Sequence, residues 1–270
     1  MSNQSKIREA AKKLNPIDDL MFRKMAEDPS FCEEILRVIL SDPNLIVLDT
    51  TPQWAGTNLQ GRSVILDAKC QLSNEKQVNI EVQKANDDNH QKRVRYNAAI
   101  LTTNLSEPGE KFEQVPNVCI VFISKFDPFQ SHLPLYHVDR VVRETGIIVE
   151  NGLEEIYVNT KEKDLSEVSE LMEVFVKDSA YNPKFPITSR LKHRYKETEE
   201  GQEKMCEIIE KIRSESKLEG RIEGKIEGKA RVNQLNQILI QLKRYHDLER
   251  ATIDPSFQTQ LMEELLPEET

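Results

Sequence analysis

An α/β protein, a sheet covered by helices on both sides and followed by a C-terminal helical extension, is the fold class this sequence predicts. Three stretches carry the prediction. Ser63–Lys69 and Val78–Lys84 alternate apolar and polar residues on either side of the polar run Leu72–Gln77, as two strands of a hairpin do. Val118–Phe126 is apolar on both alternating faces, the pattern of a central strand with helices above and below. Beyond Asn182–Pro186 the chain turns charged and helical.

In chain order, Ser2–Leu14 is a polar lead-in, frayed or helical. Asn15-Pro16 starts a helix, with Asn as cap and Pro in the first turn, and Ile17, Leu20, Met21, Phe22 and Met25 supply its apolar face. Asp18 and Asp19 fall in that first turn, where the helix dipole favours negative charge. Phe31–Leu40 is a second helix with Phe31, Ile35, Val38 and Ile39 inward, stopped by Ser41–Asn44. Leu45–Asp49 reads as a short strand and Thr50–Gly61 as a polar loop, whose Trp54 is a packing plug rather than a base-stacking platform. In the hairpin, Val64, Leu66 and Ala68 face the core with Val78, Ile80 and Val82. Asp67, Glu81 and Gln83 lie on the opposite side.

Asn86–Asn89 caps a helix to about Leu105, with Val94, Ala98, Leu101 and Leu105 as its buried stripe. Further strands are read at Leu133–Val142, Ile147–Val149 and Ile156–Val158. A core helix over Asp164–Lys177 carries Leu165, Val168, Leu171, Met172, Phe175 and Val176. Asn182–Pro186 marks a boundary between residues 1–186 and 187–270. The second part repeats Glu-Gly every four residues at Gly220, Gly224 and Gly228, with Ile222 and Ile226 beside the glycines. Such a helix is weak by itself, because each Gly costs about 1 kcal/mol relative to Ala and Glu219, Glu223 and Glu227 repel at four-residue spacing. Either close helix approach over the glycines or a loose linker satisfies that pattern. Val232–Leu242 is amphipathic, and Ile253–Leu266 is read as a last helix packed on it.

The 270 residues suffice for one substantial core with an appendage, or for two small domains. No apolar run is long enough to cross a bilayer and Met1–Lys13 lacks the apolar stretch of a signal peptide, so a cytoplasmic protein without a membrane partner is expected. Cys32, Cys70, Cys119 and Cys206 stand singly, which speaks for reduced thiols and against structural zinc. A net charge of −9 argues against a protein that coats nucleic acid. Two local basic clusters still offer phosphate contacts: Lys84 with Lys92, Arg93 and Arg95, and Arg190–Lys196, the latter equally well read as a solvated helix face.

A hairpin brings the Asp67 and Glu81 carboxylates to one side, where two hard oxygen ligands cradle a divalent ion. Without a ligand, they are two ordinary exposed strand carboxylates. The spacing, Asp67, 13 residues, then Glu81-Val-Gln83, resembles the active-site hairpin of the PD-(D/E)XK nucleases. With Asn15–Phe22, Leu66–Lys69, Asn79–Gln83, the basic helix Lys92–Tyr96 and the strand Val118–Ile123, it is similar to their transposase-like, recombination-promoting branch. The resemblance implies a restriction-endonuclease-like core, a central mixed β-sheet flanked by helices. It implies a Mg²⁺-dependent DNA endonuclease, with Mn²⁺ as the alternative ion, whose cut assists recombination or mobile-element movement. In that scheme Asp67 and Glu81 hold the metal, Asp19 approaches from the first helix, and Gln83 takes the position of the superfamily's Lys. That branch commonly has Gln there, with Lys69 or Lys84 to supply the missing cation. Lys84, Lys92, Arg93, Arg95 and Tyr96 contact DNA, and the Glu-Gly helices join copies into a homo-oligomer. The acidic charge and the absent Lys keep a second function open: a catalytically weak or inactive nuclease-fold module that binds DNA or protein through its helical tail.

Overall fold

A computed structural model describes residues 3–266, which divide between Ile208 and Ile209 into two compact units. The first is built on a six-stranded mixed sheet of order β1-β2-β3-β4-β8-β5. Its strands are β1 (Val47–Gly56), β2 (Val64–Leu72), β3 (Gln77–Gln83), β4 (Val118–Ser124), β5 (Leu135–Val138) and β8 (Leu153–Asn159). β6 (Val141–Val142) and β7 (Ile147–Ile148) form a separate two-stranded ribbon. β1, β2 and β3 run antiparallel in turn, β3, β4 and β8 are parallel, and β5 returns antiparallel on β8. Every residue of β4 is buried, as its unbroken apolar run demands of a central strand.

Helices cover both faces. On one, α4 (His90–Leu105) sets Val94, Ala98 and Leu101 against Leu66, Val118, Ile120, Phe122 and Tyr157, with Trp54 packed at the edge. Asn89 caps α4 by accepting from the Lys92 amide. Elsewhere in the unit, α1 (Asn3–Lys12) buries Ile7 and Ala11, and α2 (Asp19–Met25) packs on β2 and β3. α3 (Pro29–Ile39) packs on β1, α5 (Glu167–Val176) and α6 (Pro186–Glu197). The rings of Phe22, Phe31 and Phe175 meet at 5.7 and 6.2 Å between centroids.

Several sequence expectations shift. The helix expected at Asn15-Pro16 begins at Asp19, because the Asn15 amide donates to the Asp18 carboxylate and closes a turn ahead of it. Asp18 is therefore the cap residue, and only Asp19 lies in the first turn. The loop expected over Thr50–Gly61 is largely strand: β1 continues to Gly56 as an edge strand, the position that tolerates Pro52. Leu165 is fully exposed, since Ser166 caps α5 and leaves Leu165 outside the helix, while Val174 takes an inward place.

The basic run Arg190–Lys196 is partly structural rather than solvated. Lys192 is fully buried and its ammonium donates to the carbonyls of Val174, Lys177 and Ala180 at and beyond the end of α5. Lys196 reaches the Leu14 carbonyl, Asn15 Oδ1 and Asp178 Oδ1. The Lys192 bonds supply a donor to carbonyls at and beyond a helix terminus. At the other end of α6, the Glu34 carboxylate accepts from the Ile187 and Thr188 amides. The first unit thus continues through α6, past the sequence break at Asn182–Pro186. A Cβ at Gly201 would collide with the Arg194 carbonyl, which ties the sharp join after α6 to glycine.

α7 (Glu199–Gln241) is helical through the Glu-Gly repeat, so the segment is no loose linker. A Cβ on Gly220, Gly224 or Gly228 would meet nothing within 4 Å, and Leu218, Ile222 and Ile226 are exposed. The side chain of Glu219 lies outside the described residues. In the second unit, Leu235, Leu239, Ala251, Leu261 and Leu266 form a small core between α7, α8 (Tyr245–Ile253) and α9 (Pro255–Leu265). The last helix expected over Ile253–Leu266 is α9, which Asp254 caps, whereas α8 before it was not expected.

Candidate active site

The functional geometry begins where β2 and β3 part. Their ladder pairs Gln71 with Gln77 through to Ala68 with Ile80 and ends there, although both strands continue. Side chains fill the gap: the Asp67 amide donates to Glu81 Oε1 at 3.3 Å, and the Val82 amide donates to Asp67 Oδ2 at 3.0 Å. The face assignment of β2 slips at this point. Leu66 packs with α4, whereas the Cys70 thiol faces the Cys32 thiol of α3, and strict alternation would put residues 66 and 70 on one side. Across β2, Gln53 of β1 has φ 53°, a left-handed backbone at the level of Asp67.

Both carboxylates are deeply buried, Asp67 being 4% and Glu81 1% exposed, so they are not ordinary exposed strand residues. Each meets an arginine. Arg23 of α2 donates to Asp67 Oδ1 through Nη2 at 3.0 Å and Nε at 3.2 Å, and its Nε lies 2.5 Å from Asp19 Oδ1. Arg93 of α4 reaches Glu81 Oε2 at 3.5 Å and Gln83 Oε1 at 3.3 Å. Asn79 donates to Glu81 Oε1 at 2.9 Å. Three carboxylates thus share two guanidinium groups in a confined space. Burial, and then the Asp67 charge, push the Glu81 carboxyl up to about 8 and Asp19 up to about 7.

The donor set fits a hard divalent cation: two buried oxygen-bearing side chains, with a third beside them, whose charges the two guanidinium groups offset. The Gln83 amide donates to the Ala85 carbonyl at 3.1 Å and Asp87 Oδ1 at 3.5 Å, while its oxygen accepts from Arg93 Nη1. Lys84 instead pairs with Asp18 at 2.5 Å. Lys69 is half-buried and forms no ion pair among the described residues.

Lys92, Arg95 and Tyr96 line a cavity beside this site together with Arg93. Among the described residues, the one trio of side chains with metal-ligand atoms within 4.8 Å of one another lies elsewhere: Asp127, His132 and Glu162. Asp127 there accepts from the amides of Phe129, Gln130 and His132 and from the Tyr136 hydroxyl, bonds that hold its carboxyl below the usual range and fold the loop after β4. Arg23 is the residue that sequence reasoning missed. Its signal was the four-residue spacing from Asp19 on one helix face.

A mixed six-stranded sheet flanked by helices, with paired acids where two strands diverge, defines a PD-(D/E)XK nuclease-like fold. The family model described as PD-(D/E)XK nuclease family transposase matches residues 45–226. The chain belongs to this family. Its sequence places it among nuclease and transposase-like domains, a class that generally uses divalent metals. No curated protein matches the chain, and no solved structure does. Among the described residues, no helix is long and apolar enough to cross a membrane.

Proposed function

We propose that the protein is a metal-dependent DNA endonuclease that hydrolyses phosphodiester bonds and whose cut serves recombination or the movement of a mobile element. One observation carries the reading: Asp67 and Glu81, acids of the family hairpin, are buried together in the gap between β2 and β3. Asp67 and Glu81 would hold Mg²⁺, with Mn²⁺ as the alternative, and Asp19 adds a third carboxylate from α2. Bound there, the ion supplies charge neutralisation at the phosphate and a more acidic water. Glu81 would share the ion and orient the attacking water. Gln83 holds Arg93, and Arg93 exchanges Glu81 for a phosphate oxygen. Lys84, Lys92, Arg95 and Tyr96 contact the DNA around the cut.

Labour is divided between a nuclease-like part, residues 1–186, and a helical part, residues 187–270, whose first helix α6 packs on the nuclease-like part. Copies associate through the exposed Leu218, Ile222 and Ile226 stripe of α7, and the cytoplasm is the expected compartment. A second reading rests on the same two arginines: Arg23 and Arg93 already neutralise the acids, as they would in a module that binds DNA or protein without cutting it.

Supercoiled plasmid separates the two. The enzyme nicks with Mg²⁺, stops with EDTA, and loses cutting in Asp67→Ala while keeping its fold. Equal inertness of wild type and variant across metals and salt leaves the binding module.

A further inference from the structure

Beside the carboxylates, the start of β2 and the first turns of α4 flank an open cavity of about 610 Å³. Its lining divides by chemistry. Val64, Ile65 and the Tyr96 ring make an apolar wall, Arg62, Lys92 and Arg95 bring positive charge, and Asp88 is the single carboxylate. Tyr96 cannot swing freely, because its hydroxyl donates to the Arg62 carbonyl at 2.5 Å and accepts from Asn58 Nδ2 at 3.1 Å. Arg93 borders both this space and the acids, through its contacts with Glu81 and Gln83.

The decisive residue is Asn97. As a residue it is 4% exposed, it lines the cavity, and its side-chain amide makes no hydrogen bond to the other described residues, which leaves it open to a ligand there. An amide offers a donor and an acceptor together, the pair that reads a base edge. A fixed aromatic ring beside aliphatic side chains suits a base face, and flanking Arg and Lys suit a phosphate. The volume lies within the range of small-molecule sites, about 300–1,000 Å³.

We propose that this cavity is a nucleotide subsite, which takes up one unpaired nucleotide of DNA next to the phosphodiester addressed by Asp67 and Glu81. A base inside a duplex is stacked and paired and cannot reach a recess of this kind; a single-stranded or extruded one can. The substrate class is therefore DNA with unpaired nucleotides at the cutting position. The place of the cut rests on the nuclease reading, whereas the binding preference does not depend on it.

The test uses the full chain in EDTA, with fluorescence anisotropy of a labelled single-stranded oligonucleotide and of the matching blunt duplex. Wild type is compared with Asn97→Leu, which keeps the volume and loses the polar atoms, and with Ile65→Asp, which puts an anion at an exposed point of the apolar wall. Wild type is expected to bind the single strand about tenfold tighter than the duplex, the scale of one stacked and hydrogen-bonded base, and each variant to lose that preference. Equal binding of the two DNAs by wild type overturns the subsite, as does an unchanged preference in either folded variant. Single-strand preference without any Mg²⁺-dependent cutting removes the nuclease reading and leaves the subsite standing. Cutting of blunt duplex without that preference does the reverse.

Discussion

Replacing Glu81 by Gln tests the electrostatics of the site more directly than any loss of activity. Glu81 is 1% exposed, and burial with the Asp67 charge raises its carboxyl from 4.5 to about 8. A folded-state value above the unfolded one means that the contribution is fully present below pH 4.5 and is lost as pH rises towards 8. Between those limits the unfolded chain releases a proton that the folded chain retains, so stability falls by about 1.4 kcal/mol per pH unit. Over the window this amounts to a few kcal/mol, a large share of an ordinary domain's stability. Gln keeps the shape and still accepts from Asn79 and the Asp67 amide, but it cannot ionise. In EDTA, Glu81→Gln should match wild type near pH 4.5 and exceed it by a few kcal/mol at pH 9. Urea unfolding followed by Trp54 fluorescence reads this cleanly, because the chain's single tryptophan sits in β1 of the sheet that carries the site. Parallel pH dependence in the two proteins would refute a buried, proton-holding Glu81. Added Mg²⁺ should stabilise wild type increasingly from pH 6 to 9 and leave the variant nearly unmoved, since binding must expel the proton.

Other perturbations probe separate parts of the structure. Arg23→Ala removes the counter-charge of Asp67 and should lower stability in EDTA by about 1–3 kcal/mol, with Mg²⁺ restoring it in a thermal melt. Lys192→Met removes the ammonium shared by three carbonyls and should cost about 2–4 kcal/mol in urea unfolding, while DNA affinity in an anisotropy titration stays unchanged. Gly224→Ala meets no neighbour within the chain, so it should stabilise α7 by about 1 kcal/mol in helical circular dichroism melts. If copies pack over the glycines, light scattering should show weaker association in that variant.

Much of the fold could be read in advance because it depends on local pattern. The all-buried run of β4, the hairpin turn between Leu72 and Gln77, and the Asn89 cap of α4 each follow from a few neighbouring residues. The errors have local causes too. The Asn15 start failed because the Asp18 side chain competed for the Asn15 amide. Thr50–Gly56 looked like a loop because polar residues suit an edge strand that faces water on one side.

For the site, the sequence alone determined the identity and spacing of Asp67, Glu81 and Gln83 and the family to which the chain belongs, since these depend only on residue order. Tertiary structure decided the rest. Arg23 and Arg93 lie 44 and 12 positions from the acids they meet, and Lys192 is buried only because α6 folds onto the end of α5. Asn97 faces a cavity only because α4 crosses the start of β2. Charge neutralisation and desolvation are sums over neighbours in space, and periodicity along the chain records which face a residue takes but not what stands opposite it.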